Sequence, residues 1–200
     1  MGRIAIDIVL LPPEEAESKA IFVNGELIKK NPDNLILNKN GGTPHISLCM
    51  GVIDERDLSK VENSLKDILR DFGSFFLRVE GAKSKINPLG KISNSFEIAK
   101  DNNLQRLHEE IAKKISPFFH KKASEENFFL PLKMKELTIK WTEEYLETSA
   151  FEKFKPHISL GFGELQEKIL PFNFVSSNIA VFQLGDYCAC RKKLIELSLI

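Results

Sequence analysis

The pentapeptide Pro44-His45-Ile46-Ser47-Leu48 recurs letter for letter as Pro156-His157-Ile158-Ser159-Leu160. With average residue usage, such an internal identity arises by accident in on the order of one chain of this length in a hundred. The repeat therefore points to a duplicated structural unit. It also takes up half of the chain's four histidines. Both copies lie in stretches that read as β-strands, and successive strand residues point to opposite faces. His45 and Ser47 therefore share one face and Ile46 and Leu48 the other, and the second copy repeats this with His157 and Ser159 against Ile158 and Leu160. Each copy buries aliphatic groups and presents an imidazole and a hydroxyl. Set side by side about an approximate two-fold axis, the copies form a groove holding two histidines and two serines. Gly161 and Gly163 continue the presenting face and are expected to leave room for a ligand.

The rest of the chain supplies elements for two intimate lobes. Ile4 to Leu11 reads as a buried strand that Pro12-Pro13 ends, and acidic Glu14-Glu15 suit the start of a helix to about Lys30. Asn24-Gly25 weakens the second half of that helix. Leu35 to Leu37 reads as a short strand, Asn38 to Thr43 as a turn and His45 to Val52 as a strand. Leu58, Val61, Leu65, Ile68, Leu69 and Phe72 recur at threes and fours, predicting a helix over Asp54 to Phe72 with Gly73 as its stop. Phe75 to Val79 and the stretch around Ser95 to Ala99 read as strands. Leu104, Leu107, Ile111 and Ile115 predict a second strong helix over Asn102 to Phe119. The charged region 121–152 shows only a short helix around Glu143 to Leu146. Strands follow at Lys155 to Phe162, Asn178 to Leu184 and Leu194 to Leu199, with a turn at Gly185-Asp186. No long linker or low-complexity tract divides the 200 residues, so residues 1–200 read as one bilobal domain.

Composition excludes several functions. Lys+Arg and Asp+Glu both number 28, and a chain of zero net charge lacks the basic surface that coating extended nucleic acid requires. A small ligand or a nucleotide end fits this balance. No run of ~18 apolar residues predicts a membrane span or anchor, and the interrupted N-terminal run reads as a strand, not a signal peptide. Cys49, Cys188 and Cys190 are an odd set and give no disulfide framework, and Cys188-Ala189-Cys190 is too tight for a metal knuckle. Reduced thiols and a cytoplasmic location are expected. No oligomeric state is read from the sequence.

Two imidazoles in one groove suit a particular chemistry. One can be neutral and take a proton while the other is charged and gives one. Hydroxyls can hydrogen-bond the non-bridging oxygens of a phosphate. Cleaving a phosphodiester needs both proton transfers on opposite sides of phosphorus. The expected catalytic pair is therefore His45 and His157, with Ser47 and Ser159 binding phosphate and no metal or cofactor required. The serines lack the nucleophile-elbow setting of Gly-x-Ser-x-Gly. No Asp, Glu or Cys repeats with the histidines as a metal ligand would.

At His45-Ile46-Ser47-Leu48 and His157-Ile158-Ser159-Leu160 the chain resembles the 2H phosphoesterase superfamily. That group is named for two His-Φ-(Ser/Thr)-Φ motifs (Φ hydrophobic) and includes 2′-5′ RNA ligase-like proteins and cyclic phosphodiesterases. The order of elements follows the same outline over most of the chain. The resemblance implies an α+β fold of two lobes, with antiparallel sheets facing a central groove and helices packed outside. It implies His45 and His157 as the acid–base pair and Ser47 and Ser159 as phosphate-binding hydroxyls. It also implies a nucleotide or RNA-end substrate carrying a 2′,3′-cyclic phosphate or a 2′-5′ linkage, with RNA ligation as the reverse reaction. The chain departs from members that place a basic residue soon after the second motif: Phe162 and Glu164 follow it here. A non-catalytic nucleotide or RNA-end binding module is the competing reading, but phosphate binding alone does not require two tunable proton carriers.

A base platform would come from among Trp141, Tyr145, Phe151, Phe154 and Phe162, and phosphate charge from Lys140, Lys153 or Lys155. His108 is expected to face solvent from its helix, and His120 to lie on the surface. Arg191-Lys192-Lys193 reads as a solvated strand edge.

Overall fold

The apolar N-terminal run forms β1 (Arg3–Leu11), buried along nearly its whole length. The computed structural model describes residues 2–38, 41–88, 90–129, 134–166 and 168–199. Helix α1 (Glu14–Lys30) opens with Glu14, Glu15 and Glu17 in its first turn and closes with Lys29 and Lys30 in its last, charges that suit the helix dipole at both ends. The first motif lies on β2 (Ile46–Asp54), and α2 (Leu58–Leu69) buries Val61, Leu65, Ile68 and Leu69. Strands β3 (Phe75–Ile86) and β4 (Ile92–Ile98) form a hairpin. Helix α3 (Asn102–Ile115) follows, its N-terminus capped where the Asp101 side chain accepts from the Leu104 N–H at 2.7 Å. Short helices α4 (Glu136–Glu143) and α5 (Tyr145–Thr148) precede β5 (His157–Phe162), which carries the second motif. The chain closes with β6 (Phe172–Ser176), β7 (Asn178–Leu184) and β8 (Cys190–Ser198).

Two four-stranded antiparallel sheets result, in the orders β2-β1-β7-β8 and β5-β4-β3-β6. The two motif strands are thus edge strands in equivalent positions, and they neighbour each other between the sheets. Each pairs with the strand preceding its helix, β1 with β2 and β4 with β5. The helices cross over: α1, which follows β1, packs against β5, while α3, which follows β4, packs against β2. This exchange interlocks the two lobes of the α+β fold. Among the described residues no helix is long and apolar enough to cross a membrane.

Several expected boundaries shift. Asn24-Gly25 leaves α1 intact, because the Asn24 side chain is satisfied by tertiary hydrogen bonds instead of competing with its own backbone. The expected helix from Asp54 starts later: a 3-10 turn spans Glu55–Asp57 and α2 begins at Leu58. The Asp54 carboxylate meets His120 at 3.3 Å and Arg56 at 3.4 Å, and caps nothing. Leu35 to Leu37 contributes one isolated bridge, Leu37 to Gly42, and no strand. Of the expected turn over Asn38 to Thr43, residues 39 and 40 lie outside the described residues. The helix expected to run to Phe119 gives way at Ile115 to a 3-10 turn over Ser116–Phe118, where Pro117 has no N–H to continue the ladder.

Candidate active site

The alternation within the repeat holds in both copies. Pro44, Ile46 and Leu48 are buried and so are Pro156, Ile158 and Leu160, while His45 and Ser47 are half-buried and His157 and Ser159 exposed. All four polar residues line one cavity of about 760 Å³. A larger concavity, about 930 Å³, lies between α1 and residues 164–166 and 168–172, with no histidine among its lining residues.

Both histidines are held in the same way. His45 Nδ1 lies 2.7 Å from the Thr43 carbonyl and His157 Nδ1 lies 2.8 Å from that of Lys155, two residues upstream in each case. A carbonyl oxygen only accepts, so Nδ1 carries the proton and each neutral ring keeps its lone pair on Nε2. Burial pushes His45 down to about 4; the nearby His157 adds to this, and the Thr43 carbonyl opposes it. His45 is thus neutral at pH 7, while His157 stands at the open side of the cavity.

One partner of this site goes beyond the repeat. Asp7 of β1 is fully buried. Its Oδ2 accepts from the Ser47 hydroxyl at 2.6 Å and lies 3.7 Å from His45 Nε2, while Oδ1 has no hydrogen-bond partner. Burial holds this carboxyl well above the usual carboxylate range, with the Ser47 hydrogen bond opposing. The sequence signal is the single charge within the apolar run from Ile4 to Leu11. Ligand atoms of Asp7, His45 and Cys190 lie within 4.8 Å of one another, so an ion favouring N, O and S ligands has a foothold at the base of the groove.

The aromatic candidates separate. Trp141, Phe154, Phe162 and Tyr145 line the cavity and Phe151 does not. Tyr145, Phe162 and Phe154 are core residues at 6%, 6% and 2% exposure, leaving half-buried Trp141 as the expected candidate available for stacking. Tyr187, which sequence reasoning missed, packs on Phe162 with ring centroids 5.0 Å apart. Lys153 and Lys155 line the cavity together with Lys85, whereas Lys140 does not. Arg191, Lys192 and Lys193 are exposed on the outer strand β8, away from it.

Three expectations are corrected. His108 does not face solvent: it is fully buried, with Nδ1 donating to the Leu48 carbonyl at 2.7 Å and Nε2 accepting from the Phe151 N–H at 2.7 Å. His120 is half-buried and bonded through its backbone to Val52 as well as to Asp54. The space beside Gly161 is taken by protein. A Cβ there would sit 2.5 Å from Asn34 Oδ1, so the missing side chain admits an asparagine, while Gly161 itself still lines the cavity.

No family model and no curated relative matches the chain. Solved structures do. A Thermus thermophilus protein superposes with a TM-score of 0.62 at 15% identity, covering 98% of each chain. Escherichia coli LigT crystallised with phosphate gives 0.57 at 10% identity, over 100% of this chain and 99% of that one. The chain has the LigT fold. LigT crystallised with 3′-AMP aligns similarly, at 0.52 and 12% identity over 99% of each chain. This two-lobed α+β arrangement is the one that the two His-Φ-Ser-Φ motifs imply.

Proposed function

We propose that this chain is a metal-independent phosphodiesterase that opens a 2′,3′-cyclic phosphate, or cleaves a 2′-5′ linkage, at a nucleotide or RNA end. The observation carrying this reading is the matched pair of imidazoles, each with Nδ1 tied to a carbonyl two residues upstream and Nε2 left for the groove. Solved LigT structures with phosphate and with 3′-AMP support a phosphate-bearing nucleotide ligand for the fold.

Neutral His45 takes a proton from the attacking water at Nε2 as the water oxygen bonds to phosphorus. The bond from phosphorus to one ribose oxygen breaks, and His157 gives a proton from Nε2 to that oxygen. The products are a phosphomonoester and a free hydroxyl; His45 gives up the proton it took from water, and exposed His157 regains one from solvent. Ser159 offers its hydroxyl to a phosphate oxygen. The Ser47 hydroxyl, which donates to Asp7 Oδ2 at 2.6 Å in the free protein, does so by turning from Asp7 toward the groove. Trp141 supplies a face for the base.

The test is turnover in excess EDTA of 2′,3′-cyclic nucleotides, ADP-ribose 1″,2″-cyclic phosphate and 2′-5′ oligoadenylate. His45→Ala and His157→Ala are each expected to lose roughly 10²–10⁴-fold while remaining folded. Near-full activity in either variant, or activity that appears only with added metal, overturns the mechanism. Tight nucleotide binding without turnover would make the chain a binding module.

A further inference from the structure

Both motif strands carry a bulge at the same place. In the β1–β2 ladder Ile8 faces Cys49 and the next residue, Val9, faces Ser47, so Leu48 is skipped. In the β4–β5 ladder Asn94 faces Gly161 and Ser95 faces Ser159, so Leu160 is skipped. A bulge leaves a residue out of the pairing and re-aims the side chains beside it. Here those neighbours are Ser47 and Ser159, with His45 and His157 two residues further back.

The carbonyls at the two bulges are not left to water. Leu48 O accepts from His108 Nδ1 at 2.7 Å, and Leu160 O accepts from Asn24 Nδ2 at 2.8 Å. His108 lies on α3 and Asn24 on α1, the two helices that cross between lobes, and both side chains are fully buried. Each also grips a second backbone segment. His108 Nε2 accepts from the N–H of Phe151, on the approach to the second motif, at 2.7 Å. Asn24 Oδ1 accepts from Leu37 N–H at 2.9 Å and its Nδ2 donates to Leu35 O at 2.7 Å, both on the approach to the first motif. The links are therefore reciprocal: His108 ties the bulge of motif one to the approach of motif two, and Asn24 does the converse. Asn34 strengthens the second link with a pair of 2.7 Å bonds to the Phe162 backbone.

We infer that Asn24 and His108 are positioning residues, a matched pair of struts that fixes the two motif histidines relative to each other. Neither touches substrate. Histidine and asparagine serve alike because each offers a donor and an acceptor on one planar group. The inference rests on the acid–base reading above, since it concerns the spacing of that reading's two proton carriers. A displacement of about 1 Å between reacting groups costs on the order of 10²-fold.

The experiment compares His108→Leu, which removes both hydrogen bonds, with His108→Asn, whose Nδ2 can still reach Leu48 O. Steady-state kinetics give kcat and KM on whichever substrate the turnover panel identifies. Imidazole ¹⁵N NMR follows the titration of His45 in the free protein. His108→Leu is expected to lower kcat roughly 10–100-fold with KM within about threefold, and to move the His45 midpoint upward from that of the wild type. His108→Asn is expected to recover most of the lost kcat. A His108→Leu protein that is less heat-stable but unchanged in kcat and in the His45 midpoint would make the residue merely structural and overturn the inference. If His108→Leu fails to fold, His108→Asn against His108→Ala, and Asn24→Leu for the second strut, read the same quantities. The NMR arm needs no turnover, so a chain silent on every substrate overturns the proposed function and leaves the strut still open to refutation.

Discussion

Lowering the pH from 7 to 4 should destabilise this protein through His45, and the size of the effect follows from the site. In the unfolded chain the imidazole titrates near 6.5, whereas in the fold burial pushes it down to about 4. The unfolded state therefore takes up the proton first. The stability contributed by neutral His45 is fully present above about pH 6.5 and is lost as pH falls toward 4. A gap of about 2.5 units at about 1.36 kcal/mol each is roughly 3 kcal/mol, a large part of the ~5–15 kcal/mol that holds a domain together. His45→Gln keeps a neutral polar side chain at every pH and removes the effect. Asp7 acts in the opposite sense, because its raised carboxyl favours folding as pH falls. Both proteins are therefore also compared in an Asp7→Asn background. Urea unfolding followed through the single Trp141 at pH 7 and pH 4 measures the difference. Wild type should lose about 3 kcal/mol more than His45→Gln over this interval. If the two lose equal stability, His45 is not desolvated as the structure has it.

The same lowered value sets the acidic limb of kcat/KM: activity should persist well below pH 6.5 and fall only as pH approaches 4, whereas a limb at 6.5 would remove His45 as the buried base. Trp141→Ala should raise KM roughly 5- to 100-fold, from stacking worth about 1–3 kcal/mol per base, with kcat little changed; an unaltered KM rules out the platform. Gly161→Ala forces a Cβ to 2.5 Å from Asn34 Oδ1 at a φ of +110°, and should cost about 1–3 kcal/mol in urea unfolding together with activity; a neutral result would mean that the Asn34 contact is not tight. Burial pushes the Cys188 thiol up to about 12 and raises Cys49 and Cys190 as well, so a disulfide reagent at pH 8 should find no fast thiol in the native protein and three after unfolding.

What the sequence made legible was what a short period encodes. Strand alternation placed His45, Ser47, His157 and Ser159 on one face because the side-chain period of a strand is two and the repeat is five residues long. Helices α2 and α3 showed through aliphatic residues at threes and fours. His108 was misread although it sits four residues after Leu104 and three before Ile111, on the very face those residues bury. A polar residue there signals a buried hydrogen bond as readily as an exposed position. The second half of β3, from Gly81 to Ile86, was missed because residues 83–86 are exposed on both faces and show no apolar alternation. Strand β6 was missed because it is five residues long, pairs along one side only, and exposes Val175 opposite exposed Phe76. The links of Asn24 and Asn34 to the second motif strand could not be read, since those partners on β5 lie 136 and 128 residues away.

Two identical pentapeptides occupy unlike environments, and the difference traces to their neighbours. The shared bulge fixes the correspondence between lobes: Met50 faces Asp7 where Phe162 faces Ser93, and Cys49 stands where Gly161 does. Lobe one therefore places a buried carboxyl beside its motif, bonded to Ser47 and near His45. Lobe two places a small hydroxyl that turns away to the Lys85 carbonyl at 3.1 Å. Around His45 the side chain is only 13% exposed, and the loss of hydration keeps its ring neutral. Around His157 the cavity opens to solvent and the residue is exposed. The acid–base reading proposed above requires opposite protonation states at one pH, which two equivalent sites do not provide. The duplication supplies the matched Nδ1 anchors, and the unequal burial of the two rings, enclosed at His45 and exposed at His157, supplies the asymmetry that the proposed mechanism requires.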